Sequence, residues 1–295
     1  MSKVALLVML SLLAHPAFAA QTLTQFHKRS GEQQPLVVEL FTSQGCSSCP
    51  PMERWLSGFK QETDLWHYYF PLAFHVTYWN YLGWKDPFAK RAFSQRQYDY
   101  LNSKGISQVY TPQLVINGRE WRPGGQALQP DESDKRAIVG RLSLTITGQE
   151  FTASFDSRLP SNQGLTLHLA LLGSELTTRV GRGENRGKHL VEDFVVLSHR
   201  RYSALASQPL NDQVLLEQAS FKQASVEQGS AKQALAGQAL TGKSWDKQTV
   251  TFSGSIEPLV KADNAPKRLA WVAWIEQEHI PLQAVGDWLL VEEAD

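Results

Sequence analysis

A chain of 295 residues, 42% of them apolar and 20% charged, is long enough for two domains and has the make-up of a folded soluble protein. Its 29 basic and 29 acidic residues cancel, and no basic block or stripe stands out, which excludes nucleic acid and anionic surfaces as expected partners. A bridge between the two cysteines, Cys46 and Cys49, would stabilise such a chain by only about 2 kcal/mol in loop-entropy terms, help that a core of this size does not need.

The first residues read as an export signal. Lys3 supplies the positive end, residues 4–13 the apolar core, and Ala17-Phe18-Ala19 a small-x-small cleavage site. Cleavage after Ala19 sends the chain to the periplasm or the exterior. The apolar run is too short for a membrane span and no other segment is long enough, so none is expected after cleavage. Residues 21–34 are polar and mixed, a lead-in helix or arm. Residues 36–42 form the first clear strand, carrying Glu39. A carboxylate buried beside a dithiol can take the proton of the resolving cysteine; on the other side of the strand it simply faces solvent.

The stretch Gln44-Gly45-Cys46-Ser47-Ser48-Cys49-Pro50-Pro51 follows that strand and leads into a helix-compatible segment, residues 52–60. At such a junction a thiol faces free helical N–H groups and the positive dipole end, which favour thiolate. Cys46 is therefore the candidate nucleophile, ionised near neutrality and open to a partner, and Cys49 is the resolving thiol. The competing readings are a metal-binding pair and an inert structural pair.

Residues 69–76 read as a buried strand ending in His75, which is either a proton relay or ligand near the dithiol or a satisfied core histidine. Residues 77–88 are dense in aromatics and bounded by Gly83 and Pro87. That is a packed loop, whose Tyr78, Trp79 and Trp84 wall a groove or cover the core. Residues 88–104 have helical composition, with Phe93, Tyr98 and Leu101 near one face and Gly105 as the stop. Tyr110-Thr111-Pro112 precedes a short strand, residues 113–116, and the hairpin signal Asn117-Gly118. Thr-Pro before a strand suggests a cis peptide, although local sequence alone favours trans.

This order of strand, C-x-x-C-P, strand, helix, Thr-Pro and hairpin resembles the thioredoxin-like fold. More closely, residues 39–51, 75–88, 110–117 and 182–187 resemble the secreted, thioredoxin-like domain-of-unknown-function family 1223. The resemblance implies that Cys46 and Cys49 are a redox pair and that Pro112 is a cis-proline, with Thr111 presenting backbone groups to a bound partner. Acidic residues are usual in that family where Thr77 and Asn80 stand here, so the resemblance gives that loop no acid/base role.

A helix closing the first domain is expected within residues 124–142, started by Pro130-Asp131-Glu132 and turning Ala137, Ile138 and Leu142 inward. Short alternating or apolar runs then follow at 144–147, 151–155, 165–171, 191–197, 249–252 and 269–275, which predict an all-β, sandwich-like domain. Between them, residues 180–189 form a glycine-rich, charged connection without a phosphate-cradling pattern. It is a surface hairpin loop, or one whose Arg182, Glu184 and Asn185 reach the dithiol. Residues 203–244 are rich in Gln, Ala and Ser with a five-residue echo that fits neither helix nor strand, an insertion unable to bury much surface.

The expected organisation is thus a signal peptide at 1–19, an α/β thioredoxin-like domain at 20–143 and an all-β domain at 144–295. The expected activity is exported thiol–disulfide exchange with protein thiols or disulfides, with Cys46, Cys49, Thr111, Pro112 and Glu39 as site residues and no cofactor or metal. Oligomeric state is left open. The rival readings are a copper or metal carrier using Cys46, Cys49 and His75, and a non-catalytic adaptor.

Overall fold

The computed structural model describes residues 25–122, 136–204, 248–256 and 266–289. The expected signal at 1–19, the helix start Pro130-Asp131-Glu132 and all but the first two residues of the 203–244 insertion lie outside them. The first half runs β1 (Gln25–Arg29), β2 (Leu36–Thr42), α1 (Cys49–Ser57), β3 (Tyr69–His75), α2 (Arg91–Asn102), β4 (Gln113–Ile116) and β5 (Arg119–Trp121). The second runs β6 (Gly140–Thr147), β7 (Glu150–Ser157), β8 (Thr166–Ser174), β9 (Leu176–Arg179), β10 (His189–Glu192), β11 (Val195–Ser203), β12 (Gln248–Ser255), β13 (Arg268–Gln277) and β14 (Ile280–Trp288).

This architecture overturns the expected α/β thioredoxin-like domain with an all-β domain behind it. Strand makes up 49% and helix 14%, with only two α-helices among the described residues. Strands from both halves share one eight-stranded sheet, in the order β14-β13-β8-β11-β3-β2-β4-β5. The reason lies at β3, whose free edge is taken by β11. Val195 lies parallel to and opposite Ala73, and the Ala73 N–H donates to the Phe194 carbonyl at 2.9 Å. An open edge in the first half is satisfied by the second, a pairing that local periodicity does not encode. The polar lead-in is a strand too, β1 pairing antiparallel with β6.

The second sheet, β1-β6-β7-β12, covers one face of the large one. Leu142, Leu144, Ile146 and Phe155 from it interlock with Leu167, Leu169, Trp271 and Ile275 to form one core. Another core surrounds β2 and β3, whose side chains are almost wholly buried on both faces, as central parallel strands require. In β2 the alternation sends Thr42 toward α1 and Glu39 and Phe41 toward α2. The two helices therefore lie on opposite faces of this part of the sheet.

The inward face of α2 is Phe93, Arg96, Gln97 and Tyr100, while Tyr98 is exposed, unlike the face expected from apolar spacing. Arg96 and Gln97 are buried because partners wait for them. Arg96 reaches Glu39 at 2.5 and 2.9 Å, Glu276 of β13 at 2.9 Å and the Tyr100 hydroxyl at 2.7 Å. His168 of β8 and His199 of β11 stack beside this group against Trp274. In place of the closing helix expected to reach residue 142, Ile138 is exposed, bridges Gln33, and is followed at once by β6. The Asn117-Gly118 turn joins β4 to β5, both residues at positive φ (44° and 80°). A Cβ on Gly118 would stand 2.4 Å from the His279 carbonyl oxygen, so only glycine fits there.

Candidate active site

The chain leaves β2 at Thr42, turns through residues 43–48 and enters α1 at Cys49, with Ser48 as N-cap and prolines in the first turn, where a missing N–H costs nothing. Cys46 lies three residues before the helix, its N–H bonded to the Ser43 carbonyl at 3.1 Å and its carbonyl accepting from the Cys49 N–H at 3.3 Å. Both thiols are free.

The two sulfurs differ sharply. Cys46 is lowered to about 6, chiefly by the hydrogen bond from the Cys49 thiol, against the opposing effect of burial, with Ser48 and Thr111 adding to it. The Ser48 hydroxyl lies 3.2 Å from the Cys46 sulfur. Burial pushes Cys49 far up, and the neighbouring Cys46 adds to that. One thiol of the pair thus ionises near neutrality while the other holds its proton. The charge rests on neighbouring thiol and hydroxyl donors more than on the helix end that the sequence points to.

Thr111 and Pro112 face the pair. Their peptide bond is cis, and the Thr111 carbonyl lies 3.8 Å from the Cys46 sulfur. The indole Nε1 of Trp79, a donor only, gives its hydrogen to Thr111 Oγ1 at 2.7 Å. The Thr111 hydroxyl is left to point its own hydrogen elsewhere, toward sulfur.

Cys46 is only 1% exposed, although Ser47 and Ser48 beside it are exposed. The open sulfur expected from sequence is therefore covered. Part of the cover is the glycine-rich loop between β9 and β10. Glu184 accepts from the Ser47 N–H at 2.8 Å, and buried Asn185 donates to the Gln44 and Cys46 carbonyls at 3.0 and 2.8 Å. Gly181 and Gly183 let this loop close on Trp84; a Cβ on Gly181 would meet its ring at 3.1 Å. Glu184 and Asn185 thus reach the cysteine loop, whereas the Arg182 side chain lies beside Gly83.

Beside the cysteine loop is a group of buried acids. Asp86 Oδ2 accepts from the Gln44 N–H at 2.9 Å and from His75 Nδ1 at 2.8 Å. Glu192 Oε2 accepts from Gln44 Nε2 at 2.6 Å, and Glu53 Oε1 from Thr42 Oγ1 at 2.5 Å. Burial raises Glu53 and carries Glu192 to about 8; His75 is held at about 9 because Asp86 and Glu192 outweigh its burial. Asp86 is lowered despite burial by the His75 ring.

The structure brings Cys46, Cys49, Thr111 and Pro112 together but does not bring Glu39 to them. Its carboxylate lies on the α2 side of the sheet, bound to Arg96 and to the Tyr100 hydroxyl at 2.5 Å. His75 is oriented by Asp86, and among the described residues no cysteine joins it in a group of three metal-capable atoms. The sequence reading gives no role to Glu53, Asp86, Gln44 or Glu192. Only Glu53 carries a local signal, standing one helical turn beyond Cys49 on α1.

Fold and site together define a β-rich protein in which an asymmetric cysteine pair at a strand-to-helix junction faces a prolyl loop beneath a glycine-rich cover. The chain belongs to the DUF1223 family, described as a protein of unknown function, whose family model matches residues 37–235. No curated protein matches it. Among solved structures it is similar to the crystal structure of protein AGR_C_4864 from Agrobacterium tumefaciens, at 22% identity over 90% of this chain and 98% of that one, with a TM-score of 0.48. It is also similar to HBP35 of Porphyromonas gingivalis, at 12% identity over 88% of this chain and 76% of that one, with a TM-score of 0.50, a likeness of fold alone.

Proposed function

We propose that this chain is an exported thiol–disulfide oxidoreductase acting on protein thiols or disulfides through Cys46 and Cys49. The observation that carries the reading is the asymmetry of the pair, with Cys46 at about 6 and Cys49 pushed far up. Export rests on the signal-like residues 1–19, and no helix among the described residues is long and apolar enough to cross a membrane.

In the oxidised protein a partner thiolate attacks the Cys46 sulfur, the Cys46–Cys49 bond breaks, and Cys49 leaves and takes a proton. A second partner thiol, losing its proton to solvent, attacks its neighbour in the mixed disulfide and expels Cys46 as thiolate. Two partner thiols become one disulfide, and two electrons pass to the cysteine pair. The low pKa of Cys46 makes it the ready leaving group of the second step, and the same steps run in reverse reduce a partner disulfide. Thr111 and Pro112 line the partner's approach, and the Glu184 and Asn185 contacts must yield for Cys46 to be reached.

The test is Cys49→Ala in cells of the source organism, with mixed disulfides captured after acid quench. Covalent partners released by reductant and absent in Cys46→Ser support the reading. Absence of any such adduct, together with a Cys46 that resists alkylation in the native protein, sinks it.

A further inference from the structure

The redox reading leaves unused the acids beside the cysteine loop. Glu53 of α1, His75 at the end of β3 and Glu192 at the end of β10 are 6%, 1% and 1% exposed. They offer one ring nitrogen and two carboxylate oxygens, all within 4.8 Å of one another. Two of the buried polar atoms here, His75 Nε2 and Glu192 Oε1, stand 3.8 Å apart, and neither has a hydrogen-bond partner. At this distance the two form an ion pair but neither makes a hydrogen bond, and burial without one costs free energy, so their common direction calls for a third group between them.

The surrounding contacts fix the ligands. Asp86 holds His75 through Nδ1 at 2.8 Å, so Nε2 is the ring nitrogen turned toward Glu192, where a bound metal would take the place of its hydrogen. Gln44 holds Glu192 through Oε2 and leaves Oε1 free, while Trp84 Nε1 holds Gln44 Oε1 at 3.0 Å. Thr42 holds Glu53. A carboxylate on the far nitrogen of a ligating histidine, with hydrogen-bonded carboxylate ligands, is the outer shell that metal sites use.

The donor set points the same way: Glu53, Asp86 and Glu192 bring three carboxyl groups around one imidazole. A divalent cation between the two atoms would give each a partner, displacing protons from its ligands as it binds. Imidazole with two carboxylates suits zinc and its neighbours in the first transition row, whereas calcium and magnesium take oxygen ligands. Tetrahedral ligand atoms at about 2.0–2.1 Å from zinc lie about 3.3 Å apart, so modest side-chain rotation brings the nitrogen and oxygen to ligating distance.

We infer that Glu53, His75 and Glu192 form a buried three-ligand site for a divalent transition-metal cation, with Asp86, Gln44 and Thr42 as its outer shell. The site is made without either thiol and does not depend on the redox reading.

The site is enclosed, so metal must enter as the chain folds. The test is full-length protein expressed with zinc in the medium, dialysed against a weak chelator and measured for metal per chain, in wild type, Glu192→Gln, His75→Gln and the double variant Cys46→Ser/Cys49→Ser. Expected is about one zinc per chain in wild type and in the cysteine variant, with loss from the Glu192 and His75 variants. Cobalt loaded in place of zinc should show ligand-field bands without the sulfur-to-metal charge-transfer band of a thiolate site. Wild type free of metal after folding with zinc overturns the inference. So does metal lost with the cysteines, or a cobalt spectrum showing sulfur ligation, both readable even if the Glu192 and His75 variants fail to fold.

Discussion

Replacing Ser48 with alanine removes a hydroxyl 3.2 Å from the Cys46 sulfur and leaves the backbone as it was. The lowering of Cys46 from 9.0 to about 6 corresponds to about 4 kcal/mol in favour of the thiolate. The favourable part comes, in falling order, from the Cys49 thiol, the Ser48 hydroxyl, Thr111 and the Ser48 backbone. A hydrogen bond to a charged group contributes about 1.5–3 kcal/mol, and less beside an exposed residue such as Ser48, so losing this one should raise Cys46 by about one pH unit. Cys49→Ala removes the stronger donor and should raise it further. Thiolate ultraviolet absorbance of the reduced protein against pH, with Cys46→Ser as blank, gives the three midpoints. They should rise in the order wild type, Ser48→Ala, Cys49→Ala. Three coincident midpoints, or a wild-type midpoint near the ordinary thiol value of about 8.5, would refute the claim that these neighbours hold the charge.

Glu184→Gln weakens the contact with the Ser47 N–H, so native Cys46 should be alkylated faster than in wild type while the melting temperature hardly moves; equal rates would show that this contact does not guard the sulfur. Arg96→Met leaves Glu39 and Glu276 buried without their cation and should cost about 3–5 kcal/mol in urea unfolding, with part recovered when Glu39→Gln is added. A loss below about 1 kcal/mol would mean that the carboxylates find other relief. Burial, and after it the charge of Arg96, lowers His168 well below the ordinary histidine value. The unfolded chain therefore takes up that proton first, and the stability due to the neutral ring is full above about pH 6.5 and lost as the pH falls through it. His168→Gln should flatten the acid limb of the stability curve by up to about 1.4 kcal/mol per pH unit below 6.5, and curves parallel to wild type would contradict this.

Parts of the site were legible because they are local. The C-x-x-C-P run and Asn117-Gly118 carry their geometry within a few residues, whereas the cis bond of Thr111-Pro112 goes against what local sequence favours and rests on the family resemblance. Glu39 shows the limit: a glutamate in an apolar strand announces burial, but not which face it takes, and Arg96 on the other side decides the matter. Spacing with Phe93 and Leu101 puts Tyr98 near the inward face, yet it is exposed, while Arg96 and Gln97 lie inward because Glu39, Glu276 and Gln113 receive them. Glu192 and Asp86 could not be joined to the cysteine loop from sequence, since the end of β10 and the loop after β3 meet it only once the sheet has formed. The correction to the fold class has the same origin, a single parallel contact between strands far apart in the chain.

That contact also sets an order of events during synthesis. When the ribosome has released β2 to β5, the bonding groups of β3 on the side later taken by β11 have no strand beside them. Its neighbour β11, with β8 and β13 beyond it, is still to be made. Until β11 emerges the nascent molecule therefore carries an adhesive, largely apolar flank, the form of polypeptide that aggregates readily and that holding factors bind. Truncating the gene after the cysteine-bearing half would make this passing exposure permanent.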